Sequence, residues 1–188
     1  MEWIGNKKIE TLLDAWKHVF SWKTLGFGYL RCLLVFTEDI LIEFEMNRTE
    51  KFLPFKRGSY GNDPLSNIFW GIIDTLFHEV VGYSDKLNKL FYSDKLNKLF
   101  EINDLENKLK SNKIKYKINS IIAYYEINQI KIKESAKISI KRDDFKISLE
   151  ILYNNKKFKY EAYIPEKSIY MNIKSKLIEL LGNKIIIS

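Results

Sequence analysis

One cysteine, Cys32, stands in 188 residues, which excludes an internal disulfide and a cysteine metal cluster and fits a reducing compartment. Histidine is nearly as scarce. His18 and His78 lie in separate segments with no H-x-x-x-H or Cys-x-x-Cys companion, so the usual zinc spacings are missing. With three prolines and eight glycines there is no low-complexity linker, and no long disordered tail is expected. A glycine-rich phosphate loop is missing too, since GFG at 26–28 is too short and no GK[ST] follows. The longest apolar stretch, residues 68–81, is broken by Asp74, His78 and Glu79 and falls short of the about 20 residues a spanning helix needs. The first twenty residues carry charges throughout and hold no continuous apolar core, so the chain is expected to be soluble and cytoplasmic.

What is present is a large apolar fraction, 46%, with 14% aromatics, enough for a core in a single domain over 1–188. Charge is uneven. Residues 1–100 hold 13 basic and 13 acidic side chains, whereas 101–188 hold 18 and 11, so the whole net charge of +7 resides in the second half. Because these lysines alternate with isoleucine, they read first as the solvated faces of strands. A surface for nucleic acid or an anionic membrane is the alternative.

The apolar period changes along the chain. A short helical start is followed by a strand over 14–22, then a loop at 24–28. The β-branched run 29–36, the polar turn Thr37-Glu38-Asp39 and the alternation of Ile40, Ile42 and Phe44 predict a hairpin. Glycines, Pro54 and Pro64 mark a loop to about residue 64. Phe69, Ile72, Ile73, Leu76, Phe77, Val80 and Val81 then recur at helical spacing, and helical character continues to Lys110. Beyond that the period is two, through Ile130, Ile132, Ile138, Ile140, Ile147, Leu149 and Ile151. Asn154-Asn155 is a turn that tolerates positive φ, Phe158 and Tyr160 face inwards on the return strand, and a helix opened by Pro165 ends at Gly182.

Within the helical segment, residues 83–91 read YSDKLNKLF and 92–100 repeat them without a change. A nine-residue shift turns a helical face by about 180°. Leu87, Leu90 and Phe91 therefore oppose Leu96, Leu99 and Phe100, which calls for a break near 91–93 or for packing on both sides. This tandem duplication is expected to be a tolerated elaboration.

Two stretches carry a resemblance. GYLRCLLVFTEDILIEF at 28–44, and AYYEINQIKIK at 123–133 followed by NNKKFKY and the last helix, are similar to the PH-like domains of uncharacterised prokaryotic proteins. The resemblance implies an α+β fold: a PH-like antiparallel β-barrel or sandwich of about seven strands built from 13–46 and 113–188, with a C-terminal capping helix. It also implies a helical insertion, about 66–111, between the third and fourth strands. Lipid-binding members present basic residues around the first hairpin, and Lys23 and Arg31 stand as the corresponding anion contacts. Tyr29 replaces the basic residue two before Arg31, which weighs against phosphoinositide recognition.

No catalytic constellation assembles. Glu43 and Glu45 share a strand face that reads as the solvated complement of Ile42 and Phe44, Cys32 reads as core, and His18 as a hydrogen-bonded structural residue. Neither a metal nor a cofactor is expected. The expected role is a non-enzymatic binding or scaffold domain mediating protein interaction or self-association through its insertion, with Phe69, Ile72, Ile73, Leu76 and Phe77 as the contact stripe. A nucleic-acid module that uses the basic half, with Tyr116, Tyr124, Tyr125, Tyr153, Tyr160 and Tyr163 interleaved, and a peripheral membrane or lipid-binding domain remain as alternatives.

Overall fold

The structure is a computed structural model that describes residues 2–21, 26–46, 101–135, 145–164 and 166–188. Among these residues the strands are β1 (Thr11–Ser21), β2 (Gly26–Phe36), β3 (Ile40–Met46), β4 (Tyr116–Ala123), β5 (Ile127–Ser135), β6 (Phe145–Tyr153), β7 (Lys156–Ile164) and β8 (Ile185–Ile187). Three α-helices accompany them among the described residues: α1 (Glu2–Gly5), α2 (Ile102–Ser111) and α3 (Lys167–Leu181). All eight strands join one sheet in the order β4-β3-β2-β1-β7-β6-β5-β8. The N-terminal and C-terminal strands meet where β1 pairs with β7, at Trp16 opposite Glu161 and Lys17 opposite Tyr160.

The expected seven-stranded antiparallel barrel is not what forms. The sheet is open, ending at β4 and β8, and it is mixed, because β8 runs parallel to β5. The physical reason lies in β2 and β3, which are apolar on both faces. Leu33, Val35, Ile42 and Phe44 point to one side, and Cys32, Leu34, Phe36 and Leu41 to the other. A barrel wall facing water on its outside would leave the first set wet. Helix α2 prevents this by laying Ile102, Leu105 and Leu109 on that face, with Ile4 of α1 beside them. Burying each such side chain is worth about 1.5–3 kcal/mol. The helical insertion expected over 66–111 lies outside the described residues as far as residue 100; its described end is α2, which stops at Ser111 as the sequence suggests.

On the opposite face Tyr170, Ile173, Leu177 and Leu181 of α3 pack against inward side chains of β1 to β7, and Phe145 stacks on Tyr170 at 5.5 Å. Gly182 ends the helix at φ 52°, a conformation that a Cβ would strain. Asn154 and Asn155 turn the β6–β7 hairpin with φ of 48° and 58°, the left-handed pair that matches strand twist. Strand β8 was not foreseen, and the strand expected around Ile138 and Ile140 lies outside the described residues.

The two stretches that carry the family resemblance touch. Thr37 Oγ1 accepts from Ile40 N at 3.2 Å and closes the β2–β3 turn, while Tyr124 Oη donates to Thr37 O at 2.7 Å and Tyr124 N to Asp39 O at 2.9 Å. Burial, with Asp39 and Glu10 nearby, pushes the Tyr124 phenol far up, so it stays a donor.

Candidate functional site

The densest polar arrangement in the described interior is centred on Glu43, which the strand pattern had placed on a solvated face. It is 2% exposed instead. Inward alternation on β3 puts Leu41 and Glu43 on the same side, and the β7 strand beyond β1 supplies a lid residue in Tyr160. Four side chains donate five hydrogen bonds to this carboxylate. Lys17 Nζ lies 2.9 and 2.8 Å from its two oxygens, Asn119 Nδ2 3.1 Å, Ser120 Oγ 3.2 Å and Tyr160 Oη 3.1 Å. The β3–β4 register slips between Glu43 and Phe44, where Ser120 and Ile118 are paired in turn and Asn119 is the extra residue. That bulge brings two adjacent β4 side chains onto one carboxylate, which a regular ladder would send to opposite faces.

The surroundings fix the protonation states. Burial first, and then the charge of Glu43, push the Tyr160 phenol far up, so it donates and does not ionise. Burial, followed by the charges of Glu43 and Asp14, raises the Cys32 thiol well above its ordinary value, and Sγ sits 3.5 Å from Ala15 O. A thiol held protonated is a poor nucleophile. The Lys17 ammonium also lies 4.9 Å from the Phe158 ring centroid and 5.7 Å from that of Tyr160.

A second buried pair occupies the other face of the sheet. Arg31 Nε donates to Asp14 Oδ1 at 2.9 Å and Nη2 to Oδ2, while the guanidinium stands 5.6 Å from the Trp16 ring centroid. The fork-to-fork geometry uses two parallel bonds. Arg31, expected as an anion contact, is 3% exposed and spends its charge within the fold. Lys23, the other expected anion contact, and the stripe Phe69, Ile72, Ile73, Leu76 and Phe77 lie outside the described residues.

His18 Nε2 lies 3.3 Å from Glu161 Oε1. Glu45 is partly covered and pairs with Lys117 at 3.0 Å. Of the tyrosines proposed to interleave with lysine, Tyr160 is buried, Tyr153 packs near Phe158, Tyr116 packs edge-on against Phe44, and Tyr124 holds the turn. Only Tyr125 among the described ones is exposed, at 85%. Among the described residues no three His, Cys, Asp or Glu side chains gather as a metal site, and no helix is long and apolar enough to cross a membrane.

Sequence reasoning missed Lys17, Glu43, Asn119, Ser120 and Tyr160 as a group. One signal was available: Lys17 occupies an inward position two beyond Ala15 and four beyond Leu13, where an unpaired ammonium would be strongly unfavourable. No protein-family model matches the chain, and no curated protein matches it.

Proposed function

We propose that this chain is a non-enzymatic binding or scaffold domain that acts through its surfaces, with a protein partner or a second copy of the chain as its ligand. The observation that carries this reading is the saturation of Glu43. A carboxylate already accepting five hydrogen bonds from Lys17, Asn119, Ser120 and Tyr160 has no lone pair directed at a substrate. Asp14 is likewise held by two bonds from Arg31, and Cys32 is held as a thiol. General acid–base or nucleophilic work needs a group within reach of a reacting atom; the Glu43 carboxylate is enclosed by its donors, and the Cys32 thiol, pushed up by burial, is a poor nucleophile.

The contact element in this reading is the apolar stripe Phe69, Ile72, Ile73, Leu76 and Phe77, inferred from its helical spacing. Light scattering on the full chain tests it. The expected result is a dimer or larger species that Phe69→Asp and Leu76→Asp each convert to a monomer with cooperative unfolding retained. A wild-type chain that is monomeric and captures no protein partner overturns the reading, and variants that fail to unfold cooperatively would place the stripe in the core.

A further inference from the structure

We propose that the outward face of β5, β6 and β7 docks the phosphate backbone of a nucleic-acid duplex. This deepens the reading of the chain as a binding domain by naming a second ligand class and the surface that takes it. Strand alternation sends Ile130, Ile132, Ile147, Leu149, Ile151, Phe158 and Tyr160 inward to the core. It therefore sends Lys131, Lys133, Lys157 and Lys159 outward, together with Glu150 and Glu161. In register, Lys131 faces Glu150 and Glu150 faces Lys159 across three adjacent strands.

Three of the four lysines are paired with one carboxylate on this face, and Lys131 stands opposite it in register. Glu150 lies 3.3 Å from Lys157, 3.5 Å from Lys133 and 3.7 Å from Lys159. Glu161, the other acid, is directed to His18. Burial pushes the Glu150 carboxyl up, yet Lys157, Lys133 and Lys159 outweigh it and hold the group below its ordinary value. The lysines themselves are loosely held. Their side chains are 50%, 57% and 51% exposed for Lys133, Lys157 and Lys159, and the contacts exceed the about 2.7–2.9 Å of a tight charge-assisted bond. Such exposed pairs are worth about 0–1 kcal/mol, so the ammoniums can turn to a stronger polyanion.

Geometry favours a duplex over the other polyanions. Lys131 and Lys133 on β5, and Lys157 and Lys159 on β7, form two rows with about 6.7 Å between neighbours in a row and about 9.6 Å between rows. The separation is comparable with the about 12 Å width of a major groove, so each row can meet one backbone. Single strands are bound largely by aromatic stacking, and the described aromatic side chains of these strands, Phe145, Tyr153, Phe158 and Tyr160, pack in or against the inner core. A membrane surface would be favoured by a continuous apolar wedge; the described apolar side chains on this side are the half-buried Leu152 and, beside Lys131 on β8, Ile186, two separate residues.

The test is fluorescence anisotropy of a labelled duplex with the full chain at several salt concentrations, alongside phosphatidylserine vesicles. Four phosphate contacts predict a slope of about −3.6 in log K against log salt, which is roughly a 150-fold loss between 50 and 200 mM. Lys131→Glu/Lys159→Glu is expected to abolish binding, whereas the charge-matched control Lys108→Glu/Lys167→Glu on α2 and α3 keeps most of it. Equal loss in both double variants, binding indifferent to salt, absence of duplex binding, or binding to vesicles alone would each overturn the proposal. Light scattering reads self-association separately, so failure here leaves the outcome for the apolar stripe distinguishable.

Discussion

The sheet has two halves that solve the same problem differently. In β1, β2 and β3 both faces are covered, by α1 and α2 on one side and by the common core with α3 on the other. In β5, β6 and β7 the described residues cover only the inner face, and the outer one carries half-exposed lysines. Charge in the doubly covered half has to be matched inside, hence Asp14 with Arg31 and Lys17 with Glu43. In the singly covered half it is solvated and only loosely paired. Among the described residues, Asp14 with Arg31 and Lys17 with Glu43 pair inside the fold, whereas Lys133, Lys157 and Lys159 share one carboxylate at the surface.

The comparison breaks most sharply at Glu43. Replacing it with Ala leaves Lys17, Tyr160, Asn119 and Ser120 without their acceptor, and urea unfolding is expected to show a loss of about 3–5 kcal/mol. Lys17→Met/Glu43→Leu removes the orphaned ammonium and is expected to recover part of that loss, the remainder reflecting Tyr160, Asn119 and Ser120, which still lack their acceptor. A smaller effect is expected from the covering helix. Leu105→Ala on α2 removes a wholly buried side chain from the outer core and should destabilise by about 2–4 kcal/mol in the same assay.

Tyr124→Phe removes one hydrogen bond to Thr37 and is expected to lower stability by about 1 kcal/mol, seen as a small drop in melting temperature. Lys131→Ala, in the singly covered half, should change stability by no more than about 0.5 kcal/mol. Glu150 sharpens the contrast through pH. Because its folded pKa is depressed below the ordinary 4.5, its contribution is present above that value and is lost as pH falls through the folded pKa. Wild type and Glu150→Gln are therefore expected to differ slightly at pH 7 and to converge in acid; parallel curves down to low pH would show that the three lysines do nothing for this carboxyl.

The elements were largely legible. The β2–β3 hairpin, the Asn154-Asn155 turn, the end of α2 near Ser111 and the termination of α3 at Gly182 follow from local chemistry: turn residues, alternation, and a glycine where φ is positive. Glu43 shows where local reading stops. A glutamate alternating with Ile42 and Phe44 looks solvated when one face is assumed wet, but both faces of β3 are dry. Arg31 misleads in the same way, since an arginine in a hairpin resembles an anion contact until Asp14 is seen beside it.

The sequence by itself determined the β2–β3 hairpin, the Asn154-Asn155 turn, the end of α3 at Gly182 and which faces of β5, β6 and β7 are apolar, because these depend on residues close together in the chain. Only the tertiary structure decided that the sheet stays open with β8 along β5, that α2 dries a second face, and that Lys17, Asn119, Ser120 and Tyr160 converge on one carboxylate. Those outcomes depend on which distant surfaces must be kept from water together, a condition that no local period records.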